Sequence, residues 1–210
     1  MRPHKKREHC RHETPRVWIA TWQCKGFRRI IWHDYEVGRA MTDIPDIAKF
    51  AALDFEASSL SDESWPIEIG LSWLAGGEVQ TWSTLIRPKP DWDLSDWSPQ
   101  SAAVHRIALQ DLEDAPAACN VVDDFLRYLG DKVLVSDAPE FEARWLSRLL
   151  QSSGHAKNLK IADYHGTSFA RFSGLALDML YETLQRRPAP HRAGPDSARL
   201  AHAWRVALQY

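Results

Sequence analysis

The sequence is poor in the features that mark several classes of protein. Cysteine occurs three times, at Cys10, Cys24 and Cys119, an odd number at irregular spacing. That gives no disulfide framework and points to a reducing, cytoplasmic home. No run approaches the roughly 18 apolar residues of a membrane span, so no membrane partner is expected. The stretch Val17-Trp18-Ile19-Ala20 behind the basic N-terminus is broken by Thr21 and Gln23, too short and too polar for a secretory signal. Internal repeats and low-complexity tracts are absent as well.

Basic charge is also scarce where most of the chain lies. Residues 1–40 hold ten Lys/Arg against four Asp/Glu, a formal +6, whereas the other 170 carry 16 against 24, a formal −8. A protein that grips long duplex by its phosphates usually shows a basic face, so the charge of the main body counts against a large nucleic-acid footprint. It does not count against a small site holding a chain end, because bound metal ions supply positive charge locally.

Residues 1–40 mix Arg, His and Trp with a period of neither 2 nor 3.6. We expect residues 1–45 to be a basic extension, with Met41 as the start of the working protein and residues 46–210 as its domain. His9, Cys10, His12, Cys24 and His33 match none of the usual zinc-ligand spacings. From Ala51 the pattern sharpens: Ala51, Leu53 and Phe55 alternate with Ala52, Asp54 and Glu56, a strand with one apolar and one acidic face. Ile67–Leu74 reads as a second strand, joined through Gly76-Gly77 to a third near Val79–Ile86. The Pro- and Trp-rich segment to Pro99 reads as an irregular loop. Helical stripes follow at Val121–Leu129, Phe141–Leu149, Leu175–Leu184 and Leu200–Leu208, with short strands at Lys132–Ser136 and Leu159–Ala162. Antiparallel strands followed by alternating helix and strand predict a mixed α/β sheet.

Two constellations carry chemistry. Asp54 and Glu56, at i and i+2 of a strand, leave the same face with Cα atoms roughly 6–7 Å apart. Held together at the end of a buried strand they repel, unless a cation neutralises them; hard oxygen ligands suit Mg²⁺ or Mn²⁺. Two surface acids on a half-solvated edge strand would give the same pattern. The second constellation is His191-Arg192-Ala193-Gly194-Pro195-Asp196. Prolines keep His191 on a loop, and Pro195 suits the first turn of a helix, which puts Asp196 where negative charge is favourable. A reachable His beside such an acid suits a general base next to a metal ligand, although an N-terminal helix acid with a surface His reads the same way.

Together these pieces resemble the DEDDh 3′–5′ exonucleases, a branch of the ribonuclease H-like fold that includes oligoribonuclease, ribonuclease T and polymerase proofreading subunits. Leu53-Asp54-Phe55-Glu56 matches the family's Asp-x-Glu strand, and Pro66-Ile67-Glu68-Ile69-Gly70 the segment ending in Ile-Gly. His191-Arg192-Ala193 through Asp196 matches the last motif, His followed four residues on by Asp. Between them His105-Arg106-Ile107 stands for a His-Gly-Ile loop, Val135 through Leu146 for the strand-to-helix element with the third acid, and Asp163 for a later Asp. The order agrees across residues 50–207. Two departures stand out: Glu142 occupies the usual place of the third Asp, one methylene longer, with Asp137 nearby but out of alignment, and Arg106 replaces the Gly.

The resemblance implies a ribonuclease H-like, mixed five-stranded α/β sheet flanked by helices. It implies a 3′–5′ exonuclease that hydrolyses phosphodiester bonds at a single-stranded 3′ end of DNA or RNA and releases nucleoside 5′-monophosphates. Asp54, Glu56, Glu142 and Asp196 would hold two Mg²⁺ or Mn²⁺ ions, His191 would be the general base and His105 would bind substrate. A homodimer is one expected state, since several members of the group are dimers. The alternative is a nucleic-acid-binding module that kept the fold and lost activity through Glu142. Among the tryptophans, Trp73, Trp145 and Trp204 are expected in the core, and Trp92 and Trp97 are candidates for stacking on bases.

Overall fold

The computed structural model describes residues 46–155 and 159–210. The expected extension over residues 1–45 lies outside the described residues, as do the His and Cys positions considered for zinc.

Alternating side chains on the first strand, β1 (Phe50–Ala57), serve two cores at once. Ala51, Leu53 and Phe55 face one cluster; Phe50 and Ala52 face the other, and Asp54 and Glu56 continue that second face. The hairpin partners β2 (Pro66–Ala75) and β3 (Glu78–Leu85) run antiparallel to it in turn. Gly76 and Gly77 close the hairpin with φ of 60° and 81°, values that a two-residue turn between right-twisted strands requires and glycine supplies without strain.

The Pro- and Trp-rich segment expected to be an irregular loop holds a three-residue 3₁₀ turn, Leu94–Asp96, and ends where α1 (Pro99–His105) begins. Helix α1 starts on a Ser98 cap, whose hydroxyl accepts from the Ser101 amide at 3.2 Å, and ends on Arg106 in the left-handed region. Ala118–Leu129 forms α2, which turns Val121, Val122, Phe125 and Leu129 inward and stops at Gly130. The parallel strand β4 (Val133–Ser136) then pairs with β1, and α3 (Pro139–Gln151) follows it directly.

The fifth strand, β5, spans Ile161–Asp163, two residues later at its start than expected, because only Ile161, Ala162 and Asp163 find partners on β4. Three helices complete the described chain: α4 (Tyr164–Phe169), α5 (Gly174–Arg186) and α6 (Ala193–Ala207). The sheet order is β3-β2-β1-β4-β5, so β1 lies at the centre and not at an edge.

Helices α2 and α3 cover one face of the sheet, packing Phe125, Trp145 and Leu149 against Leu53, Ile69 and Leu71. Helices α5 and α6 cover the other, with Leu180, Leu200 and Trp204 against Ala52, Leu74 and Val135. Each large side chain buried in this way stabilises the fold by about 1.5–3 kcal/mol. Among the described residues no helix is long and apolar enough to cross a membrane.

Candidate active site

Strands β1 and β4 run parallel and end on the same side of the sheet, while β2 leaves β1 in the opposite direction. The carboxyl ends of such strands, where the connections part, are where open α/β sheets build their sites. A cleft of about 260 Å³ opens there, lined by Asp54 and Glu56 from β1, Asp137 and Glu142 around the start of α3, and His191, Asp196 and Arg199 from α6 and its approach.

Three of the predicted carboxylates converge. Asp54, Glu56 and Asp196 each place an oxygen within 4.8 Å of the others. Among the described residues none of the five acids in the cleft forms an ion pair with Lys, Arg or His. Arg199, the cation lining the cleft, directs Nε and Nη2 to the carbonyls of Arg187 and Leu184 at 2.5 and 3.2 Å. Burial first, then the negative charge of Glu56 and Asp196, raises the Asp54 carboxyl well above its usual range. Glu56 is pushed up to about 8 by burial and by Asp196 and Glu68, with Arg192 pulling the other way.

Glu142 reaches the same cleft from the opposite face of the sheet. Its side chain is buried, and its carboxyl is raised by that burial and by Asp54, Asp137 and Glu56, partly offset by the Phe55 amide. It stands outside the tight three-carboxylate group. Glu142 Oε2 and Asp196 Oδ1 are both buried with no hydrogen-bond partner among the described residues. Buried carboxylate oxygens left unpaired are costly, and a set of hard oxygens of this kind is the donor chemistry of a divalent cation. The residues present therefore fit one.

The α6 end of the site is held by residues whose roles the sequence did not disclose. Glu68 on β2 lies directly opposite Glu56 and is buried, yet its carboxylate is fully engaged. It accepts from Arg192 Nε and Nη2 at 2.9 and 2.8 Å and from the Ala193 amide at 2.9 Å. Helix α6 has no side-chain cap of its own, so a strand residue 125 positions away satisfies one of its unpaired N–H groups. Gly70, opposite Asp54, lets the helix approach: a Cβ there would lie 2.0 Å from the Ala193 carbonyl oxygen. Gly194 does the same over Ser83, and Ser72 shares a 2.9 Å hydrogen bond with Ser197. The available signal was a charged residue inside the apolar run Ile67-Glu68-Ile69.

This docking fixes the last motif. Asp196 sits in the first turn of α6 and accepts from the Arg192 amide at 3.0 Å through Oδ2, which leaves Oδ1 for the cleft. Asp196 is raised by burial, with the Arg192 amide and His191 acting the other way. His191 is exposed at the mouth with φ of 59°, a strained conformation for a non-glycine residue and one that clusters at functional sites.

The remaining candidates lie elsewhere. His105 is buried at the end of α1, outside the lining of the cleft; its Nδ1 accepts from the Ile107 amide at 3.0 Å, and Trp97 meets it edge-on. Arg106, in the glycine place of that loop, has φ of 58°, which explains why glycine suits the position. Asp163 ends β5 and caps α4 through the Gly166 amide, away from the cleft. Trp92 and Trp97 pack on Trp65 at 5.9 Å and serve as loop anchors.

The opposite wall of the cleft is the turn after β1, where Leu60 is exposed. Arg144 of α3 holds it through Asp62 Oδ1 at 2.9 Å, and Arg148 through the Glu63 carbonyl. Ser59 and Ser61 bind Asp96 from the other side at 2.7 and 2.8 Å.

No protein-family model matches the chain. The DNA polymerase III PolC-type of Thermotoga maritima is 27% identical over 162 residues, which is 73% of this chain and 11% of that protein. A full-length 3′-exonuclease superposes with a TM-score of 0.55 at 17% identity, covering 76% of this chain and 80% of that one. The nuclease domain of 3′hExo, a DEDDh family member bound to rAMP, gives 0.53 at 18% identity, covering 78% and 92%. At these TM-scores the chain shares the fold of these 3′-exonucleases, a five-stranded mixed sheet flanked by helices.

Proposed function

We propose that this protein is a metal-dependent 3′–5′ exonuclease acting on single-stranded 3′ ends of DNA or RNA. The observation that carries the reading is the convergence of Asp54 and Glu56 of β1 with Asp196 of α6, none of which forms an ion pair with Lys or Arg among the described residues. Asp54, Glu56 and Asp196, with Glu142 beside them, would hold two Mg²⁺ or Mn²⁺ ions. Bound there, the ions offset phosphate charge and lower the pKa of water.

The chain's own groups account for the rest. His191, at the mouth of the cleft, takes a proton from the attacking water. The water oxygen forms a bond to phosphorus, the bond to the 3′ oxygen of the preceding nucleotide breaks, and that oxygen leaves with a proton. The products are a nucleoside 5′-monophosphate and a strand one unit shorter. Among similar structures, that of the 3′hExo nuclease domain holds rAMP. His105, buried with Trp97 edge-on to its ring, shapes the loop that follows α1.

The test is a gel assay on 5′-labelled single-stranded DNA and RNA with Mn²⁺, Mg²⁺ or EDTA. A ladder shortening from the 3′ end, lost in EDTA and in Asp54→Ala, is expected. His191→Ala abolishes the ladder while Mn²⁺ still raises the melting temperature. No ladder for the wild type, but one for Glu142→Asp, would replace this reading with that of a binding module silenced at one carboxylate.

A further inference from the structure

We infer that Asp137 is a fifth cation-facing carboxylate, serving the metal centre from its solvent side on the flank where Glu142 stands in place of the shorter acid. The inference rests on the proposed cation-dependent reading of the cleft and assigns a residue to it that the motifs leave out.

Asp137 follows the last residue of β4 and precedes α3. Its backbone is fixed on both sides: Ser136 Oγ accepts from the Ala138 amide at 3.1 Å, and Pro139 opens the helix. The turn places the side chain in the lining of the cleft that holds Asp54, Glu56, Glu142 and Asp196. Asp137 is exposed. Among the described residues its carboxylate meets no cation, whereas exposed acids on the nearby turn, Asp62 and Glu63, are paired with Arg144 and Arg148.

Burial raises the Glu142 and Asp54 carboxyls, and the negative charge of Asp137 in the same lining adds to it. Glu142 Oε2 and Asp196 Oδ1 are buried in the same cleft without hydrogen-bond partners among the described residues. Glu142 and Asp137 both lie outside the tight carboxylate group, and the exposed Asp137 adds negative charge around it from the cleft lining. Carboxylates around a first coordination sphere commonly change metal affinity by about 10–100-fold when removed.

The measurement is Mn²⁺ binding to the full chain, read by titration calorimetry and by the Mn²⁺-induced rise in melting temperature, for wild type, Asp137→Asn, Asp137→Glu and Asp54→Asn. Asp137→Asn is expected to bind Mn²⁺ about tenfold more weakly and to melt higher than wild type in EDTA, because a repulsion is removed. Asp137→Glu restores most of the affinity. An Asp137→Asn affinity equal to wild type, with Asp54→Asn defective, overturns the role of Asp137 and leaves the cation site standing. Wild type that binds no Mn²⁺ overturns both.

Discussion

Replacing Gly70 by alanine probes the docking of α6 directly. A Cβ at Gly70 would lie 2.0 Å from the Ala193 oxygen, 2.2 Å from its carbonyl carbon and 2.6 Å from the Gly194 nitrogen. All three are backbone atoms, so no side chain can rotate away. Ordinary contact needs about 3.5 Å, so the start of α6 must withdraw from β2 by roughly 1.5 Å. Withdrawal breaks the bond from the Ala193 amide to Glu68 and the bond between Ser72 and Ser197. Overpacking costs about 1–3 kcal/mol and a hydrogen bond to a charged group about 1.5–3, so the expected loss is about 3–5 kcal/mol.

For a chain of this size that loss lowers the melting temperature by roughly 10 °C. A misplacement near 1 Å also costs on the order of 100-fold in turnover, because Asp196 moves with the helix. The assay is thermal melting with and without Mn²⁺, alongside the labelled-strand gel. Gly76→Ala is the control, since Gly76 has φ of 60° but nothing within 4 Å of an added Cβ. Its cost is the backbone strain alone, about 1–2 kcal/mol, with an unchanged response to Mn²⁺. A Gly70→Ala protein that melts like the control and responds normally to Mn²⁺ would refute the reasoning.

Two further perturbations follow from the same structure. Asp54, Glu56 and Glu142 are raised above their usual range, Glu56 to about 8, while unfolded Asp and Glu titrate near 4. Between those values the metal-free fold binds more protons than the unfolded chain, so its stability is full at low pH and falls as pH rises. In EDTA the melting temperature should therefore drop from about pH 5 to pH 8, and a rise across that window would contradict the burial of these acids. Arg106→Gly removes left-handed strain worth about 1–2 kcal/mol, partly offset by greater freedom of the unfolded chain. A net gain of up to about 1 kcal/mol in denaturant unfolding is expected, and a loss would show that the arginine side chain holds part of the fold.

The sheet was legible wherever side chains alternate over enough residues. Leu53, Phe55 and their polar neighbours predicted β1, and Gly76-Gly77 predicted the hairpin between β2 and β3. Helices of six or seven residues, such as α1 and α4, are too short to show a period of 3.6 and were not foreseen. Asp54, Glu56 and Asp196 were visible because each lies in a short motif; their meeting within 4.8 Å is a property of the folded chain. Glu68 could be noticed but not assigned, since its partners lie more than 120 residues away. Trp92 and Trp97 looked available for stacking only because Trp65, which they cover, lies on another segment.

The tertiary cap that Glu68 gives α6 also governs when the site comes into being. Strand β1 and its hairpin partners form contacts close in sequence, and such contacts are made early. The third close carboxylate arrives only when α6 seats on Gly70 and Glu68, a closure across about 125 residues. A chain still emerging, or one frayed at that helix, can keep most of its sheet while its carboxylates stay apart. Assembly of the three-carboxylate group is thus tied to the seating of α6, and any loss of that helix's contact with β2 disperses it.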